Sequence, residues 1–579
     1  MIDLKYSEIL KKNKDLNETL SGNKYQIAVL SNIITYQLNE ILEYALRTEG
    51  INAYVESGNY DNILQDSEKN RDSNAVIIFW ELANIIDGLQ YKVNVMSEEQ
   101  VGGLLSSVKS KIDLVFNNLK DTSLVIVNRF SSLVFSRRYI RYNRFDEICS
   151  ELNAHLEETV SSNTILIDID KVLAEVSIEK SVDFRNYYSS KALYSLEFYK
   201  HYAEYLKPVF LSANGRAKKA LILDCDDTLW KGILGEDGFD GIEMSSQSKH
   251  GAVFEEFQHL VLELEKRGIL IGLCSKNNEQ DVNELIESHP DMCIKDQHII
   301  IKKLNWDDKA SNLEEIAKEL NIGLDGIVFV DDSEFEINLV RQLLPQVTTL
   351  QVPKELHEFP KFFRENMGMF FGISVSGEDL KKTEMYKQEA LRKSNEKAFG
   401  NLEDYLRSLE LAINVYVDDR SLIPRMSQLT QKTNQFNLTT KRYTEADIEH
   451  FIDDKNFVLF AFDAKDRFGD TGVVGLSIVQ LDFTNKSAII DSLLMSCRVL
   501  GRNMETAFLD FIIGFLRRSN IEYLYAKYVK TSRNMQVSNF YDDYGLCLVE
   551  TSADDKVYAI SLSELEPKNI EYIAVNYGT

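Results

Sequence analysis

The chain has 579 residues, 44% of them apolar, and 65 basic against 91 acidic side chains, which leaves a formal net charge of −26. That length exceeds what a single hydrophobic core serves and predicts three or four domains. The acidic balance argues against nucleic acid as a partner, because neutralising phosphates needs a basic footprint. Two local basic clusters, Arg137, Arg138, Arg141 and Arg144, then Arg216, Lys218 and Lys219, read first as solvated faces. The opening stretch MIDLKYSEILKKNKDLNETL is charged throughout and lacks the apolar core of a signal peptide. No run approaches the ~18–20 apolar residues of a membrane span, so no membrane is expected. The six cysteines form no CxxC and have no histidine at zinc spacing, which predicts a reducing, cytoplasmic setting. The eight histidines do not cluster, so neither a zinc site nor a histidine-based triad is supported.

In chain order, residues 25–30, 75–79, 124–127 and 164–169 are apolar runs of strand length, with amphipathic helical stretches between them, for example 38–47. Strands alternating with helices predict a parallel α/β sheet in a first domain over 1–215. A second α/β domain, over 216–365, carries the strand-like runs KKALILDCDD, GILIGLCSKN and DGIVFVDDSE. Beyond it, over 366–579, the pattern changes. A long charged helix is expected over 377–397, then strands at 457–462, 472–482 and 488–495 and a helix at 503–517. This predicts an α+β domain with a mixed or antiparallel sheet, so the chain as a whole is a multidomain α/β protein.

The second domain carries the chemistry. Its first apolar strand ends in Asp224-Cys-Asp226-Asp227-Thr228, which places carboxylates in the crevice where open α/β sheets bind ligands. Strand alternation directs Asp224 and Asp226 to one side and Cys225 to the other. Two carboxylates there repel unless a cation lies between them, which implies Mg²⁺. Ser275 ends the next strand, Lys309 opens a helix after LNWDD, and Asp331-Asp332 ends a third strand.

Asp-x-Asp-x-Thr, Ser, Lys and Asp-Asp on successive strand ends resemble the pattern of haloacid-dehalogenase (HAD) phosphohydrolases over about 220–345. The resemblance implies that Asp224 attacks phosphorus and forms an aspartyl-phosphate. Asp226 then protonates the leaving oxygen and later activates water. Ser275 and Lys309 stabilise charge on the transferred phosphoryl group. Asp332 aligns best with the family's metal-ligand acid and Asp331 follows closely. Asp224 and the backbone carbonyl of Asp226 complete the implied metal site. The intervals after the first and second motifs leave no room for a cap domain, so the site must admit a large partner or be roofed by flanking domains.

In the third domain, Ser496-Cys497-Arg498-Val-Leu-Gly501-Arg502-Asn503 leads from a strand into a helix. Arg498, Gly501 and Asn503 resemble the GNAT acyltransferase signature, whose amides at a helix N-terminus hold a pyrophosphate. Asn503 stands where that signature has Gly or Ala. Together with LILDCDDTLWKGILGEDG, WDDKASNLEEIAKELNIG, FVDDSEFE, QLTQKTNQFNLTTKRYT and DRFGDTGVVG, the run SCRVLGR resembles FkbH-like proteins over about 165–550. The first motif reads DCDDTLW where most relatives have DLDNTLW, and both reacting acids are kept. Around 25–210 the chain resembles that family's SGNH-hydrolase-like domain. Val-Leu-Ser31-Asn32 stands in place of its Gly-Asp-Ser nucleophile, which implies scaffold or docking rather than catalysis.

The FkbH-like resemblance implies an enzyme that loads a glyceryl unit from 1,3-bisphosphoglycerate, a phosphorylated acyl donor, onto the phosphopantetheine thiol of an acyl carrier protein. Cys497 matches the family's SCRV, and Arg498 beside it would lower its pKa. It is the candidate thiol that holds the acyl unit, whereas Cys225 and Cys274 point into the sheet. The competing expectation is a Mg²⁺ phosphatase acting on a sugar- or lipid-linked intermediate, with the GNAT-like domain transferring an acyl group.

Overall fold

The computed structural model of the protein describes residues 1–373, 402–467, 469–496, 499–531, 533–552 and 555–577. The helix expected over 377–397 lies outside these, as do Cys497 and Arg498. The chain divides into two compact units, Met1–Asn214 with Tyr443–His450, and Gly215–Arg442 with Phe451–Thr579.

The first unit contains β1 (Tyr25–Ser31), β2 (Ala53–Ser57), β3 (Ala75–Phe79), β4 (Val125–Asn128) and β5 (Thr164–Ile167). All pairs are parallel and the order is β2-β1-β3-β4-β5, the flavodoxin-like order. Every residue of β3 and β4 is buried, because helices cover both faces of a parallel sheet. The strand expected to reach residue 169 stops at Ile167. Asp168 leaves the ladder there to cap the helix Ile169–Val176, its side chain accepting from the Asp170 amide.

The second unit opens with another parallel sheet: β6 (Ala220–Leu223), β7 (Leu270–Ser275), β8 (Ile299–Leu304), β9 (Ile327–Asp331) and β10 (Thr348–Gln351), ordered β10-β9-β6-β7-β8. Alternation along β6 feeds two separate cores: Leu221 and Leu223 join one, Ala220 and Ile222 the other. The interval after the first motif holds only the helices Leu234–Asp237 and Gly251–Lys266. The next holds the helix Glu279–Ser288, a short 3-10 turn and β8. No cap domain is inserted in either.

The same unit ends in a nine-stranded mixed sheet. Its strands are β11 (Leu411–Val417), β12 (Phe436–Asn437), β13 (Phe457–Asp466), β14 (Gly469–Asp482), β15 (Ser487–Met495), β16 (Tyr523–Tyr528), β17 (Cys547–Ser552), β18 (Asp555–Ser561) and β19 (Ile573–Tyr577). The pairs β15–β16 and β11–β19 are parallel and the remaining pairs antiparallel. The helix Met504–Arg518 packs on this sheet, with Phe508 against Phe462 at 4.6 Å between ring centroids.

β13 and β14 run four and three residues beyond the apolar stretches that announced them. The polar end of β13 is held against β11 by buried Asp463, which accepts from Asn414 Nδ2 and Tyr416 Oη at 2.6 Å each. β15 and β16 pair only as far as Ile490 and Ala526. Where they part, Phe436 and Asn437 pair with Met495 and Leu494, and the Val529 amide donates to Leu438 O at 2.8 Å. Residues 436–438 therefore fill the opening between the two strands.

Candidate active site

The carboxylates gather where β6 lies between β7 and β9, the point at which strand order reverses. Leu223 pairs with Val330 across the ladder, and the Asp224 amide donates to Val330 O at 2.9 Å, so Asp224 emerges beside Asp331. Both are buried. Asp308 caps the helix Lys309–Leu320, accepting from the Ser311 amide at 2.8 Å. That cap sets Lys309 on the first turn, directed under the strand ends. Lys309 Nζ donates to Asp224 Oδ1 at 2.7 Å and to Asp331 Oδ2 at 2.6 Å. Ser275 and the Cys225 amide also favour the charged form of the Asp224 carboxylate.

The charges do not balance. Asp224, Asp331 and Asp332 each offer an oxygen within 4.8 Å of the others, with one ammonium among them. Burial pushes the Asp224 carboxyl above its ordinary value, with Lys309 opposing. Burial and the neighbouring Asp224 raise Asp331 to about 7 and Asp332 to about 6, the latter also repelled by Asp227. Burial disfavours the Lys309 charge, but Asp224 and Asp331 outweigh it and hold its pKa above the usual range. An all-oxygen cluster with excess negative charge suits a hard divalent cation. The residues present therefore fit Mg²⁺, with Asp224 and Asp332 the carboxylates most open to it. Asp331 has one oxygen on Lys309 and the other on the Ser333 amide at 2.8 Å.

Asp226 lies outside this carboxylate group and is held by three donors. Trp230 Nε1 at 2.9 Å and the Leu234 amide at 3.0 Å reach Oδ1, while Asn277 Nδ2 reaches Oδ2 at 2.8 Å. The turn that places it carries Asp227 at φ 51, and Asp227 is in turn pinned by Lys231 at 2.6 Å. Asn277 also donates to Ser275 Oγ at 3.2 Å, which links two of the predicted site residues. Asn277 and Trp230 were not singled out by the sequence reading. Trp230 does recur in the DDTLW run, but nothing in the spacing pairs Asn277 with Asp226.

Cys225 and Cys274 are buried, and burial pushes both thiols well up, in keeping with core positions. Gly501 and Asn503 both adopt left-handed backbone, φ 78 and 61, just ahead of the helix Met504–Arg518. Asn503 does not cap that helix. Its Nδ2 donates instead to Tyr572 Oη at 2.6 Å. Glu505 occupies the first turn with a buried Oε2 that has no hydrogen-bond partner among the described residues, and burial raises its pKa. Ser31 ends β1 buried, donating to Phe79 O at 3.0 Å and accepting from the Ile33 amide at 3.1 Å. Those bonds make it a structural hydroxyl.

No family model and no curated protein matches the chain. Among solved structures, the N-terminal part of BF1531 from Bacteroides fragilis, containing a phosphatase domain complexed with Mg, is similar at 24% identity. It covers 64% of this chain and 100% of that one, with a TM-score of 0.56. That level of identity establishes the fold alone. The ribosomal-protein-S18-alanine N-acetyltransferase from Escherichia coli overlaps 27% of this chain and 98% of its own, at 14% identity and a TM-score of 0.21. Mutant forms of the spermidine/spermine N-acetyltransferase SpeG from Vibrio cholerae overlap 26% and 95%, at 13% identity and 0.22. Overlaps this weak carry no argument, and the third domain is described by its own strand order. No helix among the described residues is long and apolar enough to cross a membrane.

Proposed function

We propose that the protein is a Mg²⁺-dependent phosphatase coupled to acyl transfer, which loads a dephosphorylated glyceryl unit from 1,3-bisphosphoglycerate onto an acyl carrier protein. The observation that carries the phosphatase part is the Lys309 ammonium shared by Asp224 and Asp331 beside the open Asp332 carboxylate. Asp224 attacks the phosphorus of the ester-linked phosphate, and the ester P–O bond breaks. Asp226, oriented by Trp230, Leu234 and Asn277, gives its proton to the departing alkoxide. It then takes a proton from the water that attacks the aspartyl-phosphate, releasing phosphate and restoring Asp224. Lys309 and Ser275 face the developing charge. Mg²⁺ held by Asp224, Asp332 and the Asp226 carbonyl would neutralise the phosphoryl oxygens.

The order of steps follows from where the activation lies. Attack by Asp224 on the acyl-phosphate would expel a carboxylate and lose the activation. A thiol must therefore take the acyl carbon first, forming a thioester and releasing phosphate, before the second phosphate is removed. The carrier's phosphopantetheine thiol then receives the acyl group by thioester exchange. Cys497 is the proposed first thiol, on the FkbH-like resemblance. The capless site supports a tethered substrate, because nothing within the domain encloses a free small molecule.

The proposed dock for an acidic carrier is the loop beyond the helix Leu133–Ser136, where Arg138 and Arg141 stand exposed among Tyr139, Ile140 and Tyr142. Arg137 and Arg144 already pair with Glu179 and Glu98. Incubation with 1,3-bisphosphoglycerate, Mg²⁺ and a holo carrier, read by intact mass, tests the reading. A dephosphorylated glyceryl adduct supports it. Phosphate release with no adduct on enzyme or carrier would favour the alternative, a phosphatase acting on a sugar- or lipid-linked intermediate.

A further inference from the structure

A parallel sheet sends the segments that leave its strands to one edge, so the exits of β6, β8 and β9 all border the catalytic carboxylates. Each exit carries a large apolar side chain left in solvent. Ile233 follows β6 and is 42% exposed, Trp306 follows β8 at 76%, and Phe335 follows β9 at 69%. Among the described residues of 216–373, the one other large apolar side chain so exposed is Leu343. Single exposed apolar residues are ordinary, but three gathered at the entrance of one site mark a surface that something covers.

Local geometry fixes the two aromatics. Asn305 Oδ1 accepts from the Asp307 amide at 3.0 Å and from Asn312 Nδ2 at 2.8 Å, a turn with Trp306 at its tip. Ser333 caps the helix Glu334–Leu343, accepting from the Glu336 amide at 3.4 Å. Ile337 and Val340 of that helix enter the core, and Phe335 does not. Both aromatics border the segment that carries Ser275 and Asn277. The Asn305 amide donates to Ser275 O at 3.3 Å, and Lys276 Nζ donates to Glu336 Oε1 at 2.8 Å. Since β8 lies beyond β7 and β9 beyond β6, Trp306 and Phe335 stand on opposite sides of the entrance.

The charges around them select the occupant. Lys276 pairs with Glu336 at 2.8 Å and Lys231 with Asp227 at 2.6 Å, so each of these cations is already matched. Asp307 and Glu334, both exposed, adjoin the aromatics in the chain. An acidic protein surface or a multiply charged tail is repelled from such a rim. An uncharged chain of apolar and amide groups is not.

We propose that Trp306 and Phe335 are specificity residues that recognise the arm of a tethered substrate. The pantetheine part of a thioester, uncharged and partly apolar, lies across the two rings while the phosphorylated end of the acyl unit reaches Asp224. The assignment rests on the glyceryl-loading reading and deepens it. Covering the rings supplies binding that a free phosphorylated metabolite, too short to reach them, does not obtain. In a domain without a cap, the rim thus separates tethered from free substrate.

The S-methyl and S-pantetheine thioesters of 3-phosphoglycerate differ only in the arm. Phosphate release from each, by the full-length protein with Mg²⁺, tests the proposal. The wild type should favour the S-pantetheine thioester. The ratio of the two kcat/KM values should fall at least ~tenfold in the Trp306→Ala/Phe335→Ala double variant and be kept in Trp306→Phe/Phe335→Tyr. A ratio unchanged in the alanine variant, or an equal loss on both thioesters, would overturn the proposal and leave the glyceryl-loading reading standing. Absence of any wild-type preference would bring down both. A preference for a hexose phosphate, lost in the alanine variant, would give the rim to sugar rings and likewise overturn it. A second measurement leaves the rim unaltered. The other two tryptophans, Trp80 and Trp230, are buried, so acrylamide quenches chiefly Trp306. In Asp224→Asn saturated with the S-pantetheine thioester, that quenching should fall, and unchanged quenching would refute the contact.

Discussion

Lys309 joins Asp224 to Asp331, with its Nζ 2.7 Å from Oδ1 of the first and 2.6 Å from Oδ2 of the second, all three side chains being buried. Its removal should act on both chemistry and stability. Lys309→Met is expected to lower kcat on p-nitrophenyl phosphate by ~10²–10³, as expected for loss of a preorganised charge at the phosphoryl group. It should also cost about 3–5 kcal/mol of stability, because two carboxylates are left buried without a counter-charge. Added Mg²⁺ should restore part of that loss. Urea denaturation with and without metal checks this, and an undiminished kcat would remove Lys309 from the site.

Asn277 is the donor to Asp226 that no motif announced. Asn277→Ala should lower kcat about tenfold, since a hydrogen bond to a charged group contributes on the order of 1.5–3 kcal/mol. An undiminished kcat with unchanged KM would assign Asn277 to packing alone.

Metal binding should be linked to protons. Asp331 and Asp332, raised to about 7 and about 6, are protonated below those values in the metal-free protein, and a cation must displace the protons. Mg²⁺ affinity should rise from pH 5 to pH 7 by up to ~tenfold per unit for each proton released and level off above pH 8. Folded-state pKa values raised above the unfolded ones mean that folding takes up protons. In the absence of metal, these two groups should therefore add stability as pH falls from 8 toward 6. Calorimetric Mg²⁺ titration across this range decides it, and a flat affinity would contradict the cluster.

How much the sequence disclosed depended on whether local pattern carried the information. β6, β7 and β9 were legible because parallel strands buried on both faces are uninterrupted apolar runs. Asp224, Ser275 and Lys309 were legible because each sits at an element boundary. The polar end of β13 was not, since buried Asp463 is held there by Asn414 and Tyr416 of β11 rather than announced by alternation. Asn277 contacts Asp226 across 51 positions, and one cavity wall gathers Arg216, Arg425 and Arg533 from across the unit. Such relationships exist only in three dimensions.

Gly475, in β14, faces Phe462 of β13 so closely that an added Cβ would lie 1.8 Å from Phe462 Cε1. Phe462 is fully buried, its ring centroid 4.6 Å from that of Phe508. Gly475→Ala should destabilise the nine-stranded sheet by ~1–3 kcal/mol or more through overpacking. Denaturant unfolding monitored by hydrogen exchange in β13 and β14 measures it. Unchanged protection there would show that the close approach relaxes freely.

The central claim is that Asp224 removes phosphate from an acyl unit that is already captured. Intact-mass analysis of Asp224→Asn with 1,3-bisphosphoglycerate, Mg²⁺ and a holo carrier tests it most directly. This variant should accumulate an adduct heavier by one phosphoryl group than the glyceryl adduct of the wild type. A fully dephosphorylated adduct on Asp224→Asn would contradict it.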